Sequence, residues 1–331
     1  MRRWAALGVA VAVVSLAGCS GFQSVLNPEG DNAISIARLF WFFLTVCASI
    51  WIVVMAILAM SLVRARRNTA PETRDQRRMG FVIGGCVAAS VIILVVFTLA
   101  SFFTNKSIAA APEDPLTVKV EAHQWWWQVT YLDKRIDHRF ETANEIHVPV
   151  GRPILLQFES PDVIHSFWMP NLAGKQDVIP GRFTELTFTV EKPGIYRGQC
   201  AEFCGIEHAH MGMYVVAQEP FEFDKWRGRQ IGDSVPPTNA MLRHGYMVFV
   251  SNACASCHTI RGTDAGGVVG PDLTHFGSRL SIAAGTVPNT MANLQGWIAN
   301  PHGIKPYTQM PSVALAGDDL TAVSQYLESL K

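Results

Sequence analysis

The sequence has no excess of charge of either sign: Lys and Arg total 27 and Asp and Glu total 27 over 331 residues. No basic stripe runs along it, so the electrostatic footprint of a nucleic-acid partner is missing. It has no internal repeat, which excludes a solenoid, and no low-complexity tract. Charge is scarcest in the first third. Residues 39–63 and 80–103 contain no Asp, Glu, Lys, Arg or His. The missing charges exclude a solvated surface helix, and the missing histidines exclude imidazole-ligated centres inside these runs. Each run exceeds the roughly 20 apolar residues that cross a bilayer core. Mean hydropathy is positive, at +0.18, and the apolar excess is concentrated here.

Between the runs lies "RARRNTAPETRDQRR", with Arg64, Arg66, Arg67, Arg74, Arg77 and Arg78. The positive-inside rule places this loop in the cytoplasm and both remaining ends outside. The first segment, "MRRWAALGVAVAVVSLAGCS", pairs Arg2 and Arg3 with an apolar run and small residues, as a secretory signal does. Its "LAGC" ending resembles a lipoprotein signal that would leave Cys19 acylated, while a plain signal or an uncleaved anchor remains open. The expectation is a signal over 1–19 and a transmembrane helical hairpin over 34–105. Cys47 and Cys86 lie in the spans and read as inert apolar residues.

After a connector at 107–115, short β-branched and aromatic runs follow: "LTVKVEAHQWWWQVTYL", "EIHVPVGRPILLQFES", "RFTELTFTVEKPGIY" and "HMGMYVVAQE". Pro and Gly punctuate them, which predicts a β-sandwich or barrel over 116–220. His165 in "DVIHSFWMP" is expected at a strand end. A second connector, "GRQIGDSVPPTNA", leads to helical spacing over 240–331. Asp318 and Asp319 suit the start of the last helix.

"CASCH", Cys254 to His258, is the C-x-x-C-H attachment motif for c-type haem. Two thiols on one turn reach the vinyl groups, and the next histidine reaches the iron. A thioredoxin-like redox pair would need a βαβ context, and the surroundings here are helical. Met310 in "IKPYTQMPS" is the favoured sixth ligand, with Met291, His275 and His302 as rivals. A thioether there raises the potential and closes the iron to substrate. Residues 240–331 resemble a class I cytochrome c, an all-α fold. Gly245, Phe249 and Tyr326 match that family's helix-contact positions.

"CAEFCGIEHAHM", Cys200 to Met211, places two thiols, two imidazoles and a thioether in one loop, with His165 upstream. A mononuclear blue-copper site uses one cysteine, two histidines and a methionine. The surplus thiol suits two bridging sulfurs and two coppers, each with one histidine, His165 or His208. Met211 and a backbone carbonyl, that of Glu202, would be weak outer ligands. Spacing alone also leaves zinc and a Cys200–Cys204 disulfide open.

Together with "HSFWMP", this loop resembles the CuA signature of subunit II of haem–copper cytochrome c oxidases. The order of hairpin, copper domain and fused cytochrome c is similar to that of the caa-type bacterial oxidases. The resemblance implies a cupredoxin-like Greek-key β-barrel for the copper domain and a binuclear CuA held by His165, Cys200, Glu202 through its carbonyl, Cys204, His208 and Met211. It implies a magnesium ion on the Glu202 side chain at the subunit I interface. It also implies that electrons enter at Trp125 of "HQWWWQVTY". Three consecutive tryptophans on a strand with one wet face leave an exposed aromatic patch, a candidate docking surface, with burial of Trp126 and Trp127 against the membrane or subunit I as the alternative. His210 lies outside the motif. The glutamate that the family often has at the second span is absent; Arg77 and Arg78 stand nearby, and Asp75 is at best a substitute.

The resemblance implies a subunit of a terminal respiratory oxidase in the bacterial cytoplasmic membrane, with its copper and haem domains on the periplasmic side. A soluble or membrane cytochrome would donate electrons, and a catalytic haem–copper subunit I, with other oxidase subunits, would reduce oxygen to water. The chain itself has no histidine in its spans to build the oxygen site. The same module serves CuA-type nitric oxide reductases, which is the alternative reading. A nitrous oxide reductase needs a further large domain, a quinol oxidase subunit loses the two cysteines, and a copper-delivery lipoprotein needs no haem.

Overall fold

The computed structural model describes residues 23–67 and 76–331. The signal-like segment with Cys19, and Arg74 and Asp75 of the loop, lie outside the described residues. The chain divides into two compact units, Ile34–Ala111 and the remainder.

The first unit is built on α1 (Asp31–Arg67) and α2 (Gln76–Ile108), both long and apolar enough to cross a membrane. At about 1.5 Å per residue, α1 runs about 55 Å, longer than a bilayer core. Large apolar side chains lie exposed along both helices, with Trp51 64% and Phe81 77% accessible. Phe43 stacks on Phe97 at 4.1 Å. Surface this apolar needs lipid or another protein to cover it. The first turn of α2 holds no acidic residue, in keeping with the missing glutamate.

The second unit holds a β-sandwich. Its strands are β1 (Leu116–His123), β2 (Trp126–Tyr131), β3 (Phe140–Ala143), β4 (Glu145–Pro149), β5 (Pro153–Glu159), β6 (His165–Trp168), β7 (Gln176–Val178), β8 (Thr184–Thr189), β9 (Gly194–Cys200) and β10 (Gly212–Gln218). One sheet runs β3-β2-β1-β5-β8 and the other β4-β10-β9-β6-β7. Strict alternation along β1 and β5 sends Val118, Val120, Leu156 and Phe158 inward. They meet Phe167, Met213 and Val215 of the opposite sheet in one buried core.

Three local readings need correction. "LTVKVEAHQWWWQVTYL" is not one strand but two, turning at Gln124 and Trp125. "EIHVPVGRPILLQFES" splits at Gly151, whose φ of +74° turns the corner, and β4 and β5 go to opposite sheets. His165 begins a strand rather than ending one. The bend before it is held by Asp162, whose Oδ1 accepts from Val163 N at 2.6 Å.

Helix α3 (Pro220–Ile231) folds back on the sandwich, with Trp226 stacked on His147 at 4.0 Å. The helical part follows as α4 (Ala240–Ser251), α5 (Cys254–Cys257), α6 (Met291–Ala299), α7 (Pro301–Ile304) and α8 (Gly317–Ser329). Asn239 caps α4 by accepting from Leu242 N at 2.9 Å. Helices α4 and α8 cross at Gly245, where a Cβ would lie 2.1 Å from the Ala322 carbonyl oxygen. Phe249 and Tyr326 pack at the same crossing, both buried.

Candidate functional site

Strand register builds the first centre. β6 pairs antiparallel with β9, Phe167 opposite Cys200, so His165 lies level with the first turn of the loop after Cys200. The loop closes on itself: Cys200 N donates to Met211 O at 2.9 Å, and Ala201 N to Ser166 O at 2.8 Å. These bonds draw every predicted ligand to one end of the sandwich.

Cys200 and Cys204 are free thiols with sulfurs 3.7 Å apart, too far for a disulfide. The other donors divide between them. His165 Nδ1 lies 3.9 Å and the Glu202 carbonyl 3.2 Å from Cys200 Sγ. His208 Nδ1 lies 3.6 Å and Met211 Sδ 3.8 Å from Cys204 Sγ. His165, Cys200 and Cys204 form a buried group with ligand atoms all within 4.8 Å of one another. The hydrogen bond between the two thiols pushes the Cys200 thiol down, with help from His165, and, together with burial, pushes Cys204 up. Two soft sulfurs, a thioether and two imidazoles suit copper.

Some residues that hold this centre were not singled out from the sequence. Asp162 Oδ1 binds His165 Nε2 at 2.9 Å and leaves Nδ1 to face the sulfurs. A carboxylate three residues before a ligand histidine was a readable signal. Gln124 Nε2 donates to Cys204 O at 2.8 Å, and Trp125 Nε1 to the same oxygen at 2.9 Å. Gly205, at φ +116°, leaves room for them; a Cβ there would lie 3.0 Å from both side chains. The Glu202 side chain points out to solvent. His210 is no ligand: its Nδ1 pairs with the buried Glu207 at 2.6 Å.

The second centre is an apolar cavity lined by Cys254, Cys257, His258, Leu294, Ile298 and Met310. His258 Nδ1–H donates to the Pro271 carbonyl at 2.8 Å, so Nε2 keeps its lone pair free. Burial holds this imidazole below its usual range and therefore neutral. A Cβ on Gly270 would lie 2.6 Å from His258 Cε1, so glycine gives the ring its space. The cavity fits haem. Its lining is apolar, and Arg279 Nε and Ser281 Oγ are buried at its wall without partners, as groups awaiting the porphyrin carboxylates would be. Met291, His275 and His302 do not line the cavity; His275 Nε2 instead donates to Gly232 O at 3.0 Å.

Two family models match the chain: "Cytochrome C oxidase subunit II, periplasmic domain" over residues 135–218, and "Cytochrome c" over residues 242–331. A cytochrome c oxidase subunit 2 from Alkalihalophilus pseudofirmus is 32% identical, covering 96% of this chain and 94% of that one. The chain belongs to the cytochrome c oxidase subunit 2 family. The Bacillus subtilis subunit 2 is 27% identical over 98% of this chain and 96% of its own length. The solved periplasmic domain of subunit II (CoxB) of Bradyrhizobium japonicum is 34% identical, with a TM-score of 0.35 over 37% of this chain and 96% of that one. As a subunit 2 the chain is part of an oxidoreductase complex, with a cupredoxin-like domain for copper and a cytochrome c domain for haem c.

The three tryptophans divide their roles. Trp127 is fully buried, and Trp126 stacks on His123 at 4.7 Å. Trp125 sits in the turn and lines the haem cavity, and its indole N–H bonds the copper loop. Trp125 and Trp126 stay half-buried, and both line the cavity together with residues of the cytochrome domain.

Proposed function

We propose that this chain is the electron-input subunit of a terminal respiratory oxidase. It receives electrons from an external cytochrome at haem c and delivers them through binuclear CuA to a haem–copper subunit I that reduces oxygen to water. When bound, the two groups supply reversible one-electron couples. The observation that carries the reading is the position of Trp125, whose indole N–H bonds the Cys204 carbonyl while the residue also lines the haem cavity.

The chain's residues have separable tasks. Cys254 and Cys257 would anchor the haem, and His258 and Met310 would serve as its iron ligands. Cys200, Cys204, His165, His208, Met211 and the Glu202 carbonyl would hold the copper. Asp162 fixes the His165 ring, and Trp125 joins the two centres. The outward Glu202 carboxylate is free to hold magnesium against subunit I. The two apolar helices hold the module in the cytoplasmic membrane with both domains on the periplasmic side.

Anaerobic mixing of the purified oxidase with a reduced cytochrome tests this. Reduction of haem c should precede reduction of copper, and removal of the haem by Cys254→Ala with Cys257→Ala should block copper reduction. Copper reduced at the same rate without haem would overturn the reading. Consumption of oxygen rather than nitric oxide by the same preparation separates it from the reductase alternative.

A further inference from the structure

We propose that Lys305 pins the cytochrome domain onto the copper domain at Trp125, and that this pin sets how fast an electron crosses between the two centres. The proposal rests on the electron-input reading and adds to it a positioning residue.

Lys305 follows α7, and that turn is stiff. Asn300 caps it by accepting from Gly303 N at 3.1 Å, and Lys305 N donates to Pro301 O at 2.8 Å. The lysine side chain does not run into solvent, as most lysines do. It is 3% exposed, and Nζ donates to the main-chain carbonyl of Trp125 at 2.5 Å. No carboxylate lies within ion-pair distance of Nζ among the described residues; Glu207, buried and paired with His210, is the nearby negative group. Burying an ammonium is costly unless its donors are used, and here the acceptor is the residue that joins the two centres.

Trp125 is thus held by both ends. Its indole N–H is fastened to Cys204 of the copper loop, and its carbonyl to Lys305 of the haem-side segment. Met310, five residues further along that segment, lines the haem cavity. One short stretch therefore carries the haem's thioether and the grip on the tryptophan.

The rest of the junction stands without Lys305. Glu145, 2% exposed, accepts from Leu280 N at 2.5 Å and Ser281 N at 3.2 Å, and Gly212 N donates to Ala284 O at 2.8 Å. Loss of the lysine should leave both domains folded and their contact made, but loosen its register at Trp125.

The test is flash reduction of haem c in the assembled oxidase, following arrival of the electron at copper. Lys305→Met should slow that step by more than twofold, since it frees the Trp125 main chain from the haem-side segment. The haem and copper should still load fully, as their spectra will show. Lys305→Arg, which keeps a donor, should restore most of the rate. A Lys305→Met rate within twofold of the parent, or an arginine variant as slow as the methionine one, would overturn the pin. No transfer in the parent protein would instead sink the electron-input reading. A second measurement needs no variant. An amine-reactive reagent should modify Lys192, whose side chain is 69% exposed, and spare Lys305; equal labelling of the two would also overturn the proposal.

Discussion

The indole N–H of Trp125 donates to the carbonyl oxygen of Cys204 at 2.9 Å, while the same residue lines the cavity of the C-x-x-C-H motif. Phe in place of Trp125 keeps the aromatic ring and removes the donor. Trp125→Phe should therefore slow haem-to-copper transfer by at least about tenfold while both centres load normally, as metal analysis and the haem spectrum will show. An unchanged rate would mean that the electron takes another route.

Met310 lines the haem cavity, and its three rivals do not. Met310→Ala should open the iron to carbon monoxide and lower its potential, because a thioether ligand raises it. The check is a carbon monoxide difference spectrum together with a redox titration; a variant that excludes carbon monoxide would place the sixth ligand elsewhere.

Gly245 tests the packing of the cytochrome domain. A Cβ there meets the Ala322 backbone at 2.1 Å, where no rotamer change helps. Gly245→Val should destabilise the domain by about 1–3 kcal/mol or force the helices apart. Denaturant unfolding followed at the haem band measures it, with the copper signal as internal control.

His275 gives a pH dependence. Burial holds its imidazole below the usual range of about 6.5, opposed by the Gly232 carbonyl and Asp272 and assisted by Arg261. The unfolded chain then binds the proton first as pH falls, so stability is full above about 6.5 and is lost below it. Unfolding midpoints between about pH 7.5 and pH 5 should show this slope for the parent, and His275→Gln should reduce it. An unchanged slope would assign the acid sensitivity to other groups.

The sequence disclosed these centres unevenly, for physical reasons. Ligand chemistry is local: two thiols, an imidazole and a thioether in one loop, or C-x-x-C-H on one turn, read directly. The alternation of β1 and the uncharged runs of α1 and α2 were equally legible. The break at Gly151 was marked by its Gly and Pro, but the Gln124–Trp125 turn was not, because no Gly or Pro marks it and only the tertiary corner decides where pairing stops. The partners of ligands were harder still. Asp162 left a trace in its spacing from His165. Lys305 left none, since a lysine in a Pro-rich loop reads as a solvated charge until the neighbouring domain covers it. The contact of Trp125 with the last domain was hidden for the same reason: that surface is set by Glu145 and Gly212, far apart in sequence from their partners Leu280, Ser281 and Ala284.

The central claim is that Cys200 and Cys204 together hold two coppers beside a covalently attached haem. Metal analysis of the fully loaded protein, paired with electron paramagnetic resonance, tests it most directly. The account predicts two coppers per haem iron and a hyperfine pattern of one electron shared between two copper nuclei, lost in Cys200→Ser while the haem band persists. One copper per iron, or a shared-electron pattern that survives Cys200→Ser, would contradict it.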